Sequence, residues 1–293
     1  MKTKHDFLAG FALACLLSTF NSQLSTCSAA TTIDSANRYA YGANVGWMDG
    51  RGDTNNGAVI GEYVCSGYIY SANVGWICLG NGSPTNGIYY QNLSTNDFGV
   101  NHDGLGNLRG YAYGANVGWI NFEGNGAPTV DLYTGNLSGY VWSANCGWIS
   151  LSNATAYVQT TSIAPGALST NALPIAWLLT YFGTTNVDAN ADPDHDGMSN
   201  SQEYLAGTNP TNSNDYLRIT SFNRGSPGDP TEVDMVWVNE PSRFYAIESC
   251  ATLSTNPVWS ESVLPWLGIN NVEFHDTNNR AFYRIRALRP LTP

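Results

Sequence analysis

The stretches Tyr39-Ala-Tyr-Gly-Ala-Asn-Val-Gly-Trp47, Tyr68-Ile-Tyr-Ser-Ala-Asn-Val-Gly-Trp76, Tyr111-Ala-Tyr-Gly-Ala-Asn-Val-Gly-Trp119 and Tyr140-Val-Trp-Ser-Ala-Asn-Cys-Gly-Trp148 are four copies of one motif. Copies one and two stand close together and recur as a pair in copies three and four. Each copy reads as a β-hairpin, because Tyr and Trp favour strands and Ala-Asn-x-Gly supplies residues that tolerate a left-handed turn. A five-residue loop, Gly42 to Gly46 in the first copy, sets Tyr41 opposite Trp47 and Ala40 opposite Met48. The same register pairs Ile69 with Ile77, Ala112 with Ile120 and Val141 with Ile149. One face of every hairpin is then aliphatic and the other aromatic. A loop one residue shorter would mix the two faces.

The rest of the chain is read around these repeats. Charged residues make up only 12% of the 293-residue chain, and 23 acidic side chains face 12 basic ones. Both lysines, Lys2 and Lys4, sit at the extreme N-terminus. No basic patch can neutralise a run of phosphates, which argues against nucleic acid as a partner. Residues 1–30 read as a signal peptide: a positive start, an apolar run from Phe7 to Leu17, and a small-residue cleavage site at Ser28-Ala29-Ala30. Plain secretion to the outside or the cell surface is expected, with no membrane span after signal removal. A lipid anchor at Cys27 in Leu24-Ser25-Thr26-Cys27 is the alternative. Export permits disulfides among Cys65, Cys78, Cys146 and Cys250. Cys146 replaces Val45, Val74 and Val117 of the sister repeats, so it reads as a small buried side chain.

The expected fold class is mainly β. The repeated hairpins of residues 31–160 form a β-sandwich or a solenoid-like domain, and residues 161–172 are a linker. Residues 173–214 form a helix–calcium loop–helix connector, and residues 215–293 a C-terminal β-sandwich. The first helix should run from Leu173 to Phe182, bounded by Pro174 and Gly183. The terminal strands are expected at Leu217–Phe222, Val233–Val238, Phe244–Ser249, Val272–Phe274 and Ala281–Ala287.

Between the helices lies Asp192-Pro-Asp194-His-Asp196-Gly197-Met198-Ser-Asn200-Ser-Gln-Glu203, which fits D-x-D-x-D-G-x5-E at every specified position. Calcium takes about six to eight hard oxygen ligands, and this spacing converges them. Asp192, Asp194 and Asp196 alternate, Gly197 allows the turn, and Met198 supplies a backbone carbonyl. Asn200 acts directly or through water, and Glu203 closes the site with two oxygens. Asp188 and Asn190 extend the alternation upstream, while His195 falls at a non-ligand position. A single such loop suits a structural extracellular site with Kd of ~10⁻⁴–10⁻³ M.

These residues, continued by Glu203-Tyr-Leu-Ala-Gly-Thr-Asn-Pro210, resemble the bacterial thrombospondin type 3 repeat, a relative of dockerin calcium loops built on a single EF-hand-type loop. The resemblance implies an extracellular connector made rigid by Ca2+. Dockerins carry two loops with a hydrophobic eighth position; here there is one loop with Ser199, which puts cohesin docking in doubt. The hairpin repeats look like aromatic Gly-Trp repeats of secreted bacterial proteins. The final strands look like C-terminal β-domains of similar proteins.

Three functions compete. The first is a non-catalytic structural or adhesive surface protein that binds calcium and meets a cell-surface glycan or protein. The second is a carbohydrate-binding module whose ligand stacks on Tyr41, Trp47, Tyr70, Trp76, Tyr113, Trp119, Trp142 and Trp148. The third is a secreted polysaccharide hydrolase, or its accessory protein, using two of Asp53, Glu62, Asp103 and Glu123. Neither G-x-S-x-G nor H-E-x-x-H occurs. His102 and His275 read as solvated. Solvent exposure of the repeat tryptophans separates the second function from the first.

Overall fold

The structure is a computed structural model and describes residues 31–53, 55–253, 257–277 and 282–292. The expected signal peptide of residues 1–30 and the lipid-anchor alternative at Cys27 lie outside the described residues. In chain order the first strands are β1 (Ile33–Gly42), β2 (Gly46–Asp49), β3 (Ser66–Ser71), β4 (Gly75–Asn81), β5 (Val100–His102) and β6 (Leu108–Gly114). They are followed by β7 (Gly118–Asn121), β8 (Thr129–Val130), β9 (Leu137–Ser138), β10 (Tyr140–Ser143), β11 (Gly147–Ser150) and β12 (Val158–Thr160).

The four motifs form the hairpins β1–β2, β3–β4, β6–β7 and β10–β11. Their register is the one that sorts side chains by type: Tyr41 opposite Trp47, Ile69 opposite Ile77, Ala112 opposite Ile120 and Val141 opposite Ile149. Gly46, Gly75, Gly118 and Gly147 close the turns at φ of +75°, +77°, +70° and +74°. An L side chain rarely adopts that conformation.

The hairpins do not stack into a sandwich or a solenoid. They run side by side, and β11 pairs back onto β1 through Tyr41 with Ser150 and Gly42 with Ile149. The result is one closed eight-stranded barrel. Closure turns every aliphatic row toward a single interior and leaves no stave with an unpaired edge, which a sandwich of the same hairpins would expose. Ala40, Met48, Ile77, Ala112, Ile120, Val141 and Ile149 all lie in that core. The remaining apolar void is about 40 Å³, so the interior is packed rather than an open channel.

The asparagine of each motif locks the ring. Asn73 Nδ2 donates to the Val45 carbonyl at 3.0 Å, Asn116 to Val74 at 3.1 Å and Asn145 to Val117 at 3.0 Å. Asn44 completes the circle on the Cys146 carbonyl at 3.2 Å. Each hairpin tip is thus tied to the tip before it, the first to the last. Val45, Val117 and Cys146 point inward and are buried. Cys65 and Cys250 are also buried, and the four described cysteines are free thiols.

The expected linker is bound to the barrel. Ala164 exchanges backbone hydrogen bonds with Ile60 and Glu62, and Ile163 enters the core. The short helices α1 (Ile175–Phe182) and α2 (Asn200–Ala206) follow. They are not a connector strung between two bodies. Leu173, Trp177, Leu178 and Tyr204 pack with Tyr63 of the connection between β2 and β3, because two helices of two turns each cannot bury these rings against one another alone.

In place of the expected C-terminal β-sandwich stand two small, separate three-stranded sheets. Their strands are β13 (Ile219–Ser226), β14 (Asp229–Trp237), β15 (Phe244–Cys250), β16 (Ser260–Leu267), β17 (Asn271–His275) and β18 (Phe282–Leu288). The orders are β13-β14-β17 and β16-β15-β18. Val233, Met235, Trp237, Tyr245 and Ile247 are the buried residues between them. Strand β16 is absent from the sequence reading because Pro265 interrupts it. The structure absorbs that proline where the register shifts between the Tyr245 and Ile247 pairings.

His102, read as solvated from its turn neighbours, is buried. Its Nδ1 lies 2.9 Å from the Gly61 carbonyl and its Nε2 accepts the Gly106 N–H at 3.1 Å, so the ring is held neutral with one donor and one acceptor. Burial holds its pKa below the usual histidine value, although the Gly61 bond and the carboxylates of Asp103 and Glu62 pull the other way. Arg243 and Arg289 face the same small cavity. The unfolded chain therefore binds a proton that the folded one refuses, and stability present above about pH 6.5 is lost as pH falls. His102→Gln keeps a donor and an acceptor without the titration. Its denaturation midpoint is expected to vary less than wild type between about pH 7.5 and 5.5; parallel profiles would show that the ring does not govern the slope.

Candidate functional site

The loop from Asp192 to Glu203 is ordered by its own carboxylates. Asp192 accepts the N–H groups of His195 and Gly197 at 2.8 and 3.0 Å. Asp194 Oδ1 accepts from Asp196 at 3.3 Å, and Asp196 Oδ1 from Met198 at 2.8 Å. Gly197 takes φ +97° at the turn, and His195 is exposed. Asn200 is pinned by its amide nitrogen, which donates to the Asp188 carbonyl at 2.7 Å. Ser199 begins α2, and Gln202 reaches back to its N–H at 2.8 Å, which fixes the turn that carries Glu203.

This leaves four buried oxygens without a partner: Asp194 Oδ2, Asp196 Oδ2, Asn200 Oδ1 and Glu203 Oε2. An unpaired buried acceptor costs about 1–3 kcal/mol, more if charged, so four within one loop ask for a common donor or cation. The electrostatics agree. Burial, then the charges of Asp194 and Asp196, push Glu203 up to about 8. Burial also raises Asp196, with Asp194 and Asp192 adding to it. The carboxylates of Asp192, Asp194 and Asp196 converge closely enough to chelate a divalent metal ion.

A second acidic cluster with that capacity is Glu232, Asp234 and Glu273 on β14 and β17. Asp234 faces Glu273 across the sheet, and Glu232 accepts a hydrogen bond from Ser226. No orphaned buried oxygen occurs there among the described residues.

The acidic loop leads directly into a buried ion cluster that sequence reasoning missed. Tyr204, next to Glu203, donates its hydroxyl to Glu62 at 2.7 Å. Glu62 also meets Arg243 at 3.4 Å and Arg289 at 3.0 Å, with the three side chains only 11%, 8% and 10% exposed. Arg243 in turn donates to the Tyr204 and Leu205 carbonyls, both at 3.0 Å. Barrel, α2 and the C-terminal segment meet at one carboxylate.

The aromatic residues read as candidate ligand contacts are all on the outer wall of the barrel and all exposed. The tryptophans range from 41% for Trp119 and Trp142 to 51% for Trp148. The rings are therefore not one wall of a buried core. Each of the carboxylates considered for hydrolysis has local partners of its own, although Asp103 and Glu62 both act on His102. Asp53 caps the turn at Asn55 and Asn56, Asp103 caps Leu105 and Asn107, Glu123 accepts the Gly110 N–H, and Glu62 belongs to the ion cluster.

The resemblance to thrombospondin type 3 and dockerin-like EF-hand repeats does not describe this protein. A closed barrel dominates the structure, and the two helices beside the loop are docked onto it rather than forming repeat units. No helix among the described residues is long and apolar enough to cross a membrane. Comparison with family models, curated proteins and solved structures finds no match in any of the three.

Proposed function

We propose that the protein is a calcium-binding structural or adhesive protein of the cell exterior, in which Ca2+ at the acidic loop fixes α2 against the barrel. The observation that carries this reading is the set of four orphaned buried oxygens on Asp194, Asp196, Asn200 and Glu203. Asp192 and the Met198 carbonyl would complete the set. The donors are all hard oxygens, carboxylate, amide and backbone, with neither thiolate nor imidazole among them. That chemistry suits Ca2+ better than zinc or copper, and it does not impose the near-ideal octahedron that Mg2+ demands. A lone site of this kind, filled only at ~10⁻⁴–10⁻³ M calcium, would be occupied outside a cell and not inside.

Binding would act mechanically. Glu203 and Tyr204 are consecutive on α2, so an ion that neutralises the first also steadies the hydroxyl that meets Glu62. Calorimetric titration of the mature chain with calcium is expected to show one ion per chain. Chelation should expose the 173–215 segment to protease before the barrel is cut. No heat at several millimolar calcium, or identical digestion with and without chelator, would remove this reading.

A further inference from the structure

The outer wall of the barrel is not the same all the way round. In three hairpins a tyrosine packs on the tryptophan across from it, with ring centroids 4.9 Å apart for Tyr41–Trp47, 4.8 Å for Tyr70–Trp76 and 4.9 Å for Tyr113–Trp119. In the fourth, Trp142 occupies the tyrosine position, and no ring contact joins it to Trp148. The two indoles instead line an open cleft of about 290 Å³ with Asn121, Glu123 and Asn125. A second cleft, of about 370 Å³, lies at the neighbouring hairpin between Trp119, Tyr111 and Phe98 and the loop Asn92–Thr95. That loop belongs to the longer connection between copies two and three. Phe98 folds edge-on against Trp119 at 5.1 Å. The clefts adjoin, because β7 and β10 are paired strands and Asn121 stands opposite Trp142.

We propose that these two adjoining clefts bind one chain of a neutral polysaccharide, with sugar rings stacked on Trp119 and on the Trp142–Trp148 pair. One cleft lies just below and the other just inside the lower end of the size range of small-ligand sites, and both combine an aromatic floor with a few polar groups. A sugar ring matches that combination: its C–H face lies on an indole, and its hydroxyls bond amides, hydroxyls and a carboxylate at the edge. The edge supplies Asn121, Asn125 and Glu123 at one cleft and Asn92, Ser94 and Thr95 at the other. Glu123 is held by the Gly110 N–H at 2.7 Å, so its carboxylate is set before any ligand arrives.

Charge narrows the occupant. Neither cleft is lined by a lysine or arginine, the one charged group is a carboxylate, and the chain carries a net charge of −11. Uronate-, sulfate- or phosphate-bearing polymers are repelled by that field. The four-residue staves β7, β10 and β11 are far short of the roughly 9–11 residues a membrane-crossing strand needs, so their rings are not the lipid-facing belt of a membrane-crossing wall. The proposal does not depend on the calcium reading.

The test uses the full mature chain in calcium, with cellulose, chitin, β-1,3-glucan and mannan as probes and alginate as the anionic control. Retention on at least one neutral polymer is expected, with a blue shift of tryptophan emission by its soluble oligomers. Trp142→Ala and Trp119→Ala should each raise Kd by about tenfold, the loss of one stacked ring. Trp142→Tyr, which gives the fourth hairpin the residue of the other three, should weaken binding with an unchanged unfolding midpoint. Trp47→Ala and Trp76→Ala should leave Kd within about twofold. Failure to bind any neutral polymer overturns the proposal. So does equal loss from Trp47→Ala and Trp142→Ala, or retention on alginate or a protein partner alone.

Discussion

Glu62→Ala is expected to destabilise the protein by about 3–5 kcal/mol, because it strands two buried guanidinium groups at once. Arg243 and Arg289 lose their shared carboxylate, and the Tyr204 hydroxyl loses its acceptor. Arg243 keeps the Tyr204 and Leu205 carbonyls, which satisfy its hydrogens but not its charge. In a chain of this size the loss corresponds to a fall in Tm of roughly 10 °C. Replacing the arginines by methionine in the Glu62→Ala background should restore part of the loss, since the cost lies in uncompensated charge more than in missing contacts. Chemical denaturation of the three proteins measures this. A single-variant effect below about 1 kcal/mol would mean that the cluster behaves like a solvated surface pair.

Glu203→Gln is the second large effect, and its sign depends on metal. Calcium at about a hundred times Kd should stabilise the wild-type protein by about 2.7 kcal/mol, and the variant should lose that gain. Without metal the order should invert. The variant replaces a fully buried carboxylate, crowded by Asp194 and Asp196, with a neutral amide of the same shape. Its metal-free stability is expected to equal or exceed that of the metal-free wild type. Paired melts with calcium and with chelator give both comparisons. A calcium shift that survives the substitution would move the ion to the Glu232–Asp234–Glu273 cluster.

These two sites differ in how visible they were in the chain. The convergence of Asp192, Asp194 and Asp196 was legible because they alternate within one short stretch. Glu62 was not, because it meets Arg243 from 181 residues away and Arg289 from farther still. Nothing in the neighbourhood of Glu62 marks it as different from Asp53 or Glu123. His102 was misread for a related reason: Gly and Asp neighbours describe a turn, and only the packing of that turn on Gly61 buries the ring.

The hairpin register was settled locally. Shifting Tyr41 by one position would put aromatic and aliphatic groups on the same face, so side-chain type alone selects the pairing. What surrounds the hairpins was not settled, since a one-sided aliphatic hairpin suits a sandwich, a solenoid or a barrel equally well. Asn44, Asn73, Asn116 and Asn145 looked like turn residues, and their donation to the preceding tip exists only once the hairpins stand in a circle.

Sequence by itself determined the four hairpins, their two chemically distinct faces and the converging oxygens after α1, because each depends on residues within a few positions of one another. Tertiary structure alone decided that the ring closes, that the tryptophans therefore face water, and that one carboxylate ties three parts of the chain together. Those outcomes rest on contacts between segments far apart in the chain, where burial is shared and no local pattern can assign it.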